Sequence, residues 1–403
     1  MGRGVMRISI FAARSWGRIG NLAAAHMIEQ LLKAEGVESV QVTALEDIWP
    51  LFADWGERMR AAAALHTVCA IQQAFADVLA DVDAVADAAP FSAGAAAWAE
   101  GVDALAAHIR NEAPDHVVAT KGLIARMAHA VRTRSRPLFG LTNWVTNPGL
   151  LALACHRAPE ADKHVVPLAQ DKARLVLQWG VPAESVVVAG PLMRVSPLVG
   201  SRGAEPGPRG EPSVRPRVLF YLHYLSMAIV EQIERLIVEH DVECVVLNSA
   251  GHPSAVAALA ALQERLPSRF TSQKELSQAG FHGLFRWLNA APSRLFVAKS
   301  GPNTMFEAVA LHIPFLLYRS GLPQEDWVID YIAQNGLGMV LNDVTSLCER
   351  VSAALLDLEG QERMLARQTR HQTDLRDQTE LDRGAISNAL FPEPLPRSVA
   401  ATT

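Results

Sequence analysis

The sequence is poor in the residues that mark the most easily recognised protein classes. It holds only four cysteines in 403 residues. Cys69, Cys155, Cys244 and Cys348 stand far apart with no C-x-x-C spacing, so neither a zinc site nor a disulfide framework is indicated, and a reducing compartment fits. No window offers the roughly 18 uninterrupted apolar residues that a membrane-spanning helix needs. The opening, Met1 to Arg7, is a short lead into a strand and not a targeting segment, so a cytoplasmic location is expected. An excess of one charge is also missing. Lys and Arg total 37 against 42 Asp and Glu, a net charge of −5, and so there is no general pull toward nucleic acid or anionic lipid.

Apolar residues, by contrast, are plentiful. Half of the chain is hydrophobic and a fifth is charged, which suits large cores and excludes a disordered protein. A chain this long exceeds what one hydrophobic core usually organises, so two domains are expected.

The pattern along the chain supports that division. Met6 to Ala13 reads as a strand, Leu22 to Lys33 as a helix and Val40 to Ala44 as a second strand. Alanine-rich helical periodicity fills Trp49 to Val85 and returns over Ala95 to Asn111. Strand signals follow at His116 to Ala119, Leu138 to Leu141, His164 to Pro167 and Val186 to Ala189, with a helix over Gln170 to Trp179. Strand and helix alternating in this way predict a parallel sheet.

Gly200 to Arg217 is crowded with Gly, Pro and Arg and reads as a linker. Beyond it the alternation resumes: strands at Val218 to Leu222, Glu243 to Asn248, Leu295 to Ala298 and Phe315 to Tyr318, and helices at Met227 to His240, Pro253 to Leu266 and Pro302 to His312. The expectation is an α/β chain of two tandem Rossmann-like domains, residues 1–199 and 218–403 joined by 200–217, with the active site in a cleft between them. After Leu356 the chain is polar, and from Pro392 it loses all pattern.

Leu295 to Gly338 carries the most chemistry. A buried strand turns at Ser300-Gly301 into a helix whose first residue is Pro302, which proline's fixed φ favours. Unpaired backbone N–H groups at such a start, from Gly301 to Asn303 and Thr304, suit a phosphate, and the Thr304 hydroxyl adds a donor. Glu307, one turn on, is placed to accept hydrogen bonds from a ribose diol. The plain alternative is that Ser300 and Thr304 only cap the helix and Glu307 is solvated.

The order K-S-G-P-x-T-x-x-E-A, a proline-led strand, Q-E and N-G-x-G resembles the donor-site signature of one glycosyltransferase family. Its members include monogalactosyldiacylglycerol synthases and the N-acetylglucosaminyltransferase of lipid II assembly. The match runs through Lys299, Gly301, Pro302, Thr304, Glu307, Ala308, Pro314, Gln324, Glu325, Asn335, Gly336 and Gly338. Thr142 to Pro197 is similar to the end of that family's N-terminal domain. The resemblance implies the two-domain GT-B fold, ribose binding by Glu307, sugar reading by Gln324 with Glu325, and a nucleotide-sugar co-substrate, with uridine the family preference and no further cofactor. It also implies inverting displacement, with the leaving diphosphate stabilised at Gly301 to Thr304. The acidic residues show no ligand spacing, so no metal is expected.

The sequence departs from that family at three places. Trp16, Gly17 and Gly20 lie in the first loop on the acceptor side, but Asn21 stands where the family has a histidine, and an amide cannot take a proton. Asn143 and Asn147 replace an aspartate and a histidine. The loop after Tyr221 lacks the family's glycines, so His223 and Ser226 either replace backbone donors or form a packed turn. Asp115, His116 and Lys121 are candidate bases, and His26 a weaker one. Other readings of these losses are an acceptor that needs little deprotonation, such as a nucleobase nitrogen, or a module that kept binding and lost turnover.

Trp49 to Leu79 mixes aromatic residues with both signs of charge, which reads as core-facing helices and an acceptor wall rather than a membrane anchor. A soluble small-molecule acceptor is therefore preferred to a lipid, with membrane contact left as the second case. Hydrolysis or epimerisation of a nucleotide sugar is a third reading.

Overall fold

The computed structural model describes residues 6–14, 20–64, 68–87, 92–135, 139–149, 156–193, 214–222, 225–248, 253–273, 278–320, 322 and 325–379. The chain divides into two compact units. The first comprises Met1–Gly56, Asp81–Leu192 and Arg376–Thr403; the second comprises Glu57–Ala80 and Met193–Leu375.

The first unit holds strands β1 (Arg7–Ala12), β2 (Ser39–Ala44), β3 (His116–Ala119), β4 (Gly140–Trp144), β5 (Lys163–Val166) and β6 (Val186–Val188). They form one sheet in the order β2-β1-β3-β4-β5-β6, with every pair parallel. This is the 2-1-3-4-5 doubly wound order, and its switch point falls between β1 and β3. Helices α1 (Gly20–Ala34), α2 (Pro50–Ala64), α3 (Val68–Ala86), α4 (Ala93–Glu112), α5 (Gly122–Ser135) and α6 (Ala169–Trp179) alternate with the strands or join them, with α2 from Glu57 onward and α3 as far as Ala80 counted in the second unit. Trp49, Phe52 and Trp55 are buried and pack ring against ring. Those aromatic residues face the core, as their mixed-charge setting implied.

The second unit contains β7 (Arg217–Leu222), β8 (Glu243–Asn248), β9 (Phe270–Gln273), β10 (Arg294–Lys299), β11 (Phe315–Tyr318) and β12 (Met339–Leu341). They pair in parallel in the order β12-β11-β10-β7-β8-β9. Counted from β7, this is the 3-2-1-4-5-6 order of dinucleotide-binding sheets, with the switch point between β7 and β10. Its helices are α7 (Met227–His240), α8 (Pro253–Arg265), α9 (Gln278–Asn289), α10 (Pro302–Ala310), α11 (Asp326–Asn335), α12 (Leu347–Leu356) and α13 (Leu358–Gln378). One core cluster runs through β7, β8 and β10 to α7, α8 and α12.

The segment after Leu356 is a 21-residue helix, α13, where the sequence offered only polarity. Polar bonds hold it: Gln368 Nε2 donates to the carbonyls of Ile313 at 3.0 Å and Leu337 at 2.9 Å, and Gln361 Nε2 donates to that of Ala354 at 2.8 Å. Most of the linker and the stretch from Pro392 lie outside the described residues.

Candidate functional site

The corner after β10 forms because two local choices agree. Ser300 N–H donates to the Tyr318 carbonyl at 2.8 Å, extending the sheet by one residue, and Gly301 N–H turns back onto the Lys299 carbonyl at 2.7 Å. Pro302 then occupies the first helical position of α10, and Met305 N–H makes the first helical bond to the Gly301 carbonyl at 3.0 Å. No side chain caps this helix start, so the amides of Asn303 and Thr304 sit there with the positive end of the helix dipole. Ser300 does not cap the helix. Its buried hydroxyl oxygen instead accepts from Ser320 N–H at 3.0 Å.

Gly301 leaves room at this corner. A Cβ there would meet Thr304 Oγ1 at 3.3 Å and Lys299 Nζ at 3.5 Å, so a hydroxyl and an ammonium border the space the glycine leaves. Lys299 Nζ is held by both oxygens of Glu325, at 2.6 and 2.8 Å. Glu307 and Thr304 are buried, which replaces the solvated alternative for Glu307. The corner lies at the carboxyl end of β10, beside the switch point, where open α/β sheets bind ligands. His223 and Gln324 lie outside the described residues. Ser226 is the N-cap of α7, its hydroxyl oxygen accepting from Ile229 N–H at 3.4 Å.

In the first unit the sequence candidates separate to opposite edges of the sheet. Asp115 and His116 lie at the amino end of β3, away from the edge where such sheets bind ligands. Asp115 exchanges bonds with the Arg7 backbone. His116 is buried, with Nε2 2.8 Å from Thr142 Oγ1, and burial pushes its pKa down to about 3. Both are integrated into the sheet, at the edge opposite the one where open α/β sheets bind ligands. His26 is exposed on α1, 3.0 Å from Glu29.

Lys121 and Asn143 lie toward the carboxyl edge, Lys121 two residues beyond β3 and Asn143 near the end of β4. Asn21 is buried in the first turns of α1 and accepts from the Thr146 hydroxyl at 2.8 Å. Asn147 is half-buried just beyond β4. Trp16 and Gly17 fall outside the described residues, and Gly20 opens α1.

Solved structures resemble the whole chain at low identity. The spinosyn rhamnosyltransferase SpnG is 15% identical with a TM-score of 0.56, covering 96% of this chain and 99% of that one. MurG of Acinetobacter baumannii is 12% identical with a TM-score of 0.52, covering 92% and 99%. A UDP-N-acetylglucosamine 2-epimerase is 14% identical with a TM-score of 0.51, covering 96% and 94%. The chain has the GT-B fold. No protein family matches the sequence, and neither does any curated protein.

Within this GT-B frame, the first unit holds two groups of which the sequence pattern marked only Asn143. One is a polar cluster of Asn143, His156 and His164, all buried. The other is Asp171 in the first turn of α6. Burial raises its pKa to about 6, and Oδ1 accepts weakly from Gly149 N–H at 3.4 Å. Each residue alone looks ordinary in sequence, because the pairing of β4 with β5 brings them into one environment.

Among the described residues, Glu239, His240 and Cys348 are grouped with possible metal-ligand atoms within 4.8 Å of one another. Glu239 and His240 end α7 and Cys348 lies in the first turn of α12, and Arg235 already engages Glu239 at 3.2 Å.

Proposed function

We propose that this protein is a glycosyltransferase whose second unit binds the diphosphate of a nucleotide sugar at the Gly301 to Thr304 corner. The carrying observation is the uncapped helix start, opened by a glycine that leaves Lys299 Nζ and Thr304 Oγ1 beside it. Backbone donors, a hydroxyl and an ammonium at one point are what a diphosphate needs.

In this reading Glu307 accepts the ribose hydroxyls, and Gln324 reads the sugar. Glu325 sets the position of Lys299 through their ion pair. The donor is a UDP-sugar, as the sequence resemblance implies, and the acceptor is a small molecule. An acceptor lone pair attacks the anomeric carbon, the bond to the diphosphate oxygen breaks, and that oxygen leaves with the electron pair toward the helix start. The anomeric centre inverts, no metal takes part, and the acceptor's proton passes to solvent.

A second reading is epimerisation of a nucleotide sugar, favoured by the epimerase of the same fold; the amides at Asn21, Asn143 and Asn147 favour instead a module that binds without turnover. Incubation with UDP- and dTDP-sugars, followed by proton NMR of the sugar, separates the cases. Transfer requires an added acceptor, whereas an epimer formed from the donor alone supports the second reading. A melting shift with no turnover on any acceptor identifies a binding module, and no shift with any nucleotide sugar defeats the donor assignment.

A further inference from the structure

The cluster of Asn143, His156 and His164 contains buried polar atoms that find no partner among the described residues. Asn143 and His164 are register partners on neighbouring parallel strands, so their side chains share one face of the sheet. The same register places Asn143 opposite Ala119, the last residue of β3. Asn143 Nδ2 donates to the His156 carbonyl at 2.7 Å and lies 3.4 Å from His164 Nδ1. Among the described residues, Asn143 Oδ1, both ring nitrogens of His156 and His164 Nε2 have no partner. The three residues are at most 1% exposed. Each such orphan costs about 1 to 3 kcal/mol, so a native fold that keeps four together calls for an explanation.

The bonds that do exist fix the character of the orphans. A backbone carbonyl only accepts, which orients the Asn143 amide with its NH2 toward His156 and leaves Oδ1 as an open acceptor. The second amide hydrogen points at His164 Nδ1, which must then carry a lone pair, so His164 Nε2 bears the hydrogen and is an open donor. A neutral His156 ring adds one donor and one acceptor. Burial keeps both rings uncharged, and the positive charge of Lys121 reinforces this at His156. The open set is therefore two donors and two acceptors with no net charge.

We propose that Asn143, His156 and His164 form a receptor for an uncharged edge presenting a donor and an acceptor together, the N–H and C=O of a lactam or imide ring. An anion would face Asn143 Oδ1, and a cation would face the ring N–H donors and Lys121. Resting on the transferase reading, this names the acceptor as a neutral heterocycle held by the first unit. A ring nitrogen in such a compound carries a lone pair, or reaches one through its tautomer, and so needs little help from a base.

The test uses the full chain with uracil and 2-pyridone as uncharged lactams, benzoate as an anion and myo-inositol as a polyol. Binding is followed by saturation-transfer NMR, and UDP binding is measured on the same samples. The lactams should bind and the other two should not. Asn143→Leu and His164→Phe should each lose roughly tenfold or more of the lactam affinity; His164→Phe should melt at or above the wild-type temperature, because an apolar replacement removes the orphan's desolvation cost, whereas Asn143→Leu should melt lower, because it also takes the donor from the His156 carbonyl. His164→Gln, which keeps an N–H donor, should retain binding.

Failure of both lactams to bind wild type, equal binding by wild type and the apolar variants, or inositol binding as well as uracil would each overturn the assignment. So would a large fall in melting temperature in His164→Phe, since the cluster would then be structural and its orphans filled by ordered water. UDP binding that persists through any of these outcomes leaves the donor reading standing. Lost UDP binding with lactam binding intact would instead defeat the donor reading and leave the receptor in place.

Discussion

Lys299 Nζ lies 2.6 and 2.8 Å from the two carboxylate oxygens of Glu325, and both side chains are 14% exposed. One residue ends β10 and the other immediately precedes α11, so the pair ties the site's corner to the next helix. Removing one partner of a largely buried pair leaves an uncompensated charge, which costs more than removing both. Lys299→Met should therefore destabilise the second unit by about 3 kcal/mol. The double variant Lys299→Met with Glu325→Gln should recover most of that loss in urea unfolding. A double variant as unstable as the single one refutes the coupling.

Gly301→Ala separates binding from folding. The backbone angles at Gly301, φ −93° and ψ 137°, admit any residue, and the new methyl would sit 3.3 Å from Thr304 Oγ1 and 3.5 Å from Lys299 Nζ. Stability should hardly change, while affinity for a nucleotide sugar should fall roughly tenfold as the methyl fills the phosphate's space. Titration calorimetry with UDP measures this directly, and unchanged affinity would count against the corner.

Glu307→Gln should weaken UDP more than inorganic diphosphate, because only the nucleotide offers ribose hydroxyls to the carboxylate. Equal weakening of both ligands would remove Glu307 from the ribose role.

His116 and Asp171 set opposite pH responses. His116 has its folded pKa lowered to about 3, so the unfolded chain binds the proton first as pH falls. Its contribution to stability is present above the ordinary histidine pKa, declines below about 6.5 and is gone once pH passes below the folded value. His116→Gln should flatten this acid limb in urea unfolding of the first unit. Asp171 has its folded pKa raised to about 6, so the folded state holds the proton longer and stability falls as pH rises from about 4 to 6. Asp171→Asn should accordingly stabilise the protein by about 3 kcal/mol at pH 7 and leave it nearly unchanged at pH 3.5. A stability gain of the same size at both pH values would contradict this assignment.

Much of the fold was legible because apolar periods were strong. β3, α7, β8 and β11 match their sequence patterns end to end, and Pro302 marked the start of α10. What escaped lacked such a period. β9 is only Phe270–Gln273 with one buried residue, and α13 is held by glutamine side chains bonded to distant carbonyls, which leave no hydrophobic stripe. The corner from Ser300 to Thr304 was visible because its residues are neighbours in sequence. Asp115 and His116 looked chemically apt, but a strand's first residues in a parallel sheet stand at the edge opposite the ligand. The His156 and His164 cluster was invisible for the reverse reason, since the register of β4 with β5 creates it.

The central claim is that the open amides at Asn303 and Thr304 receive a diphosphate. Hydrogen exchange by mass spectrometry, with and without a UDP-sugar that raises the melting temperature, addresses these amides directly. Diphosphate binding there predicts slowed exchange in a peptide spanning residues 299–307. A UDP-sugar that stabilises the protein yet leaves exchange in that peptide unchanged would contradict it.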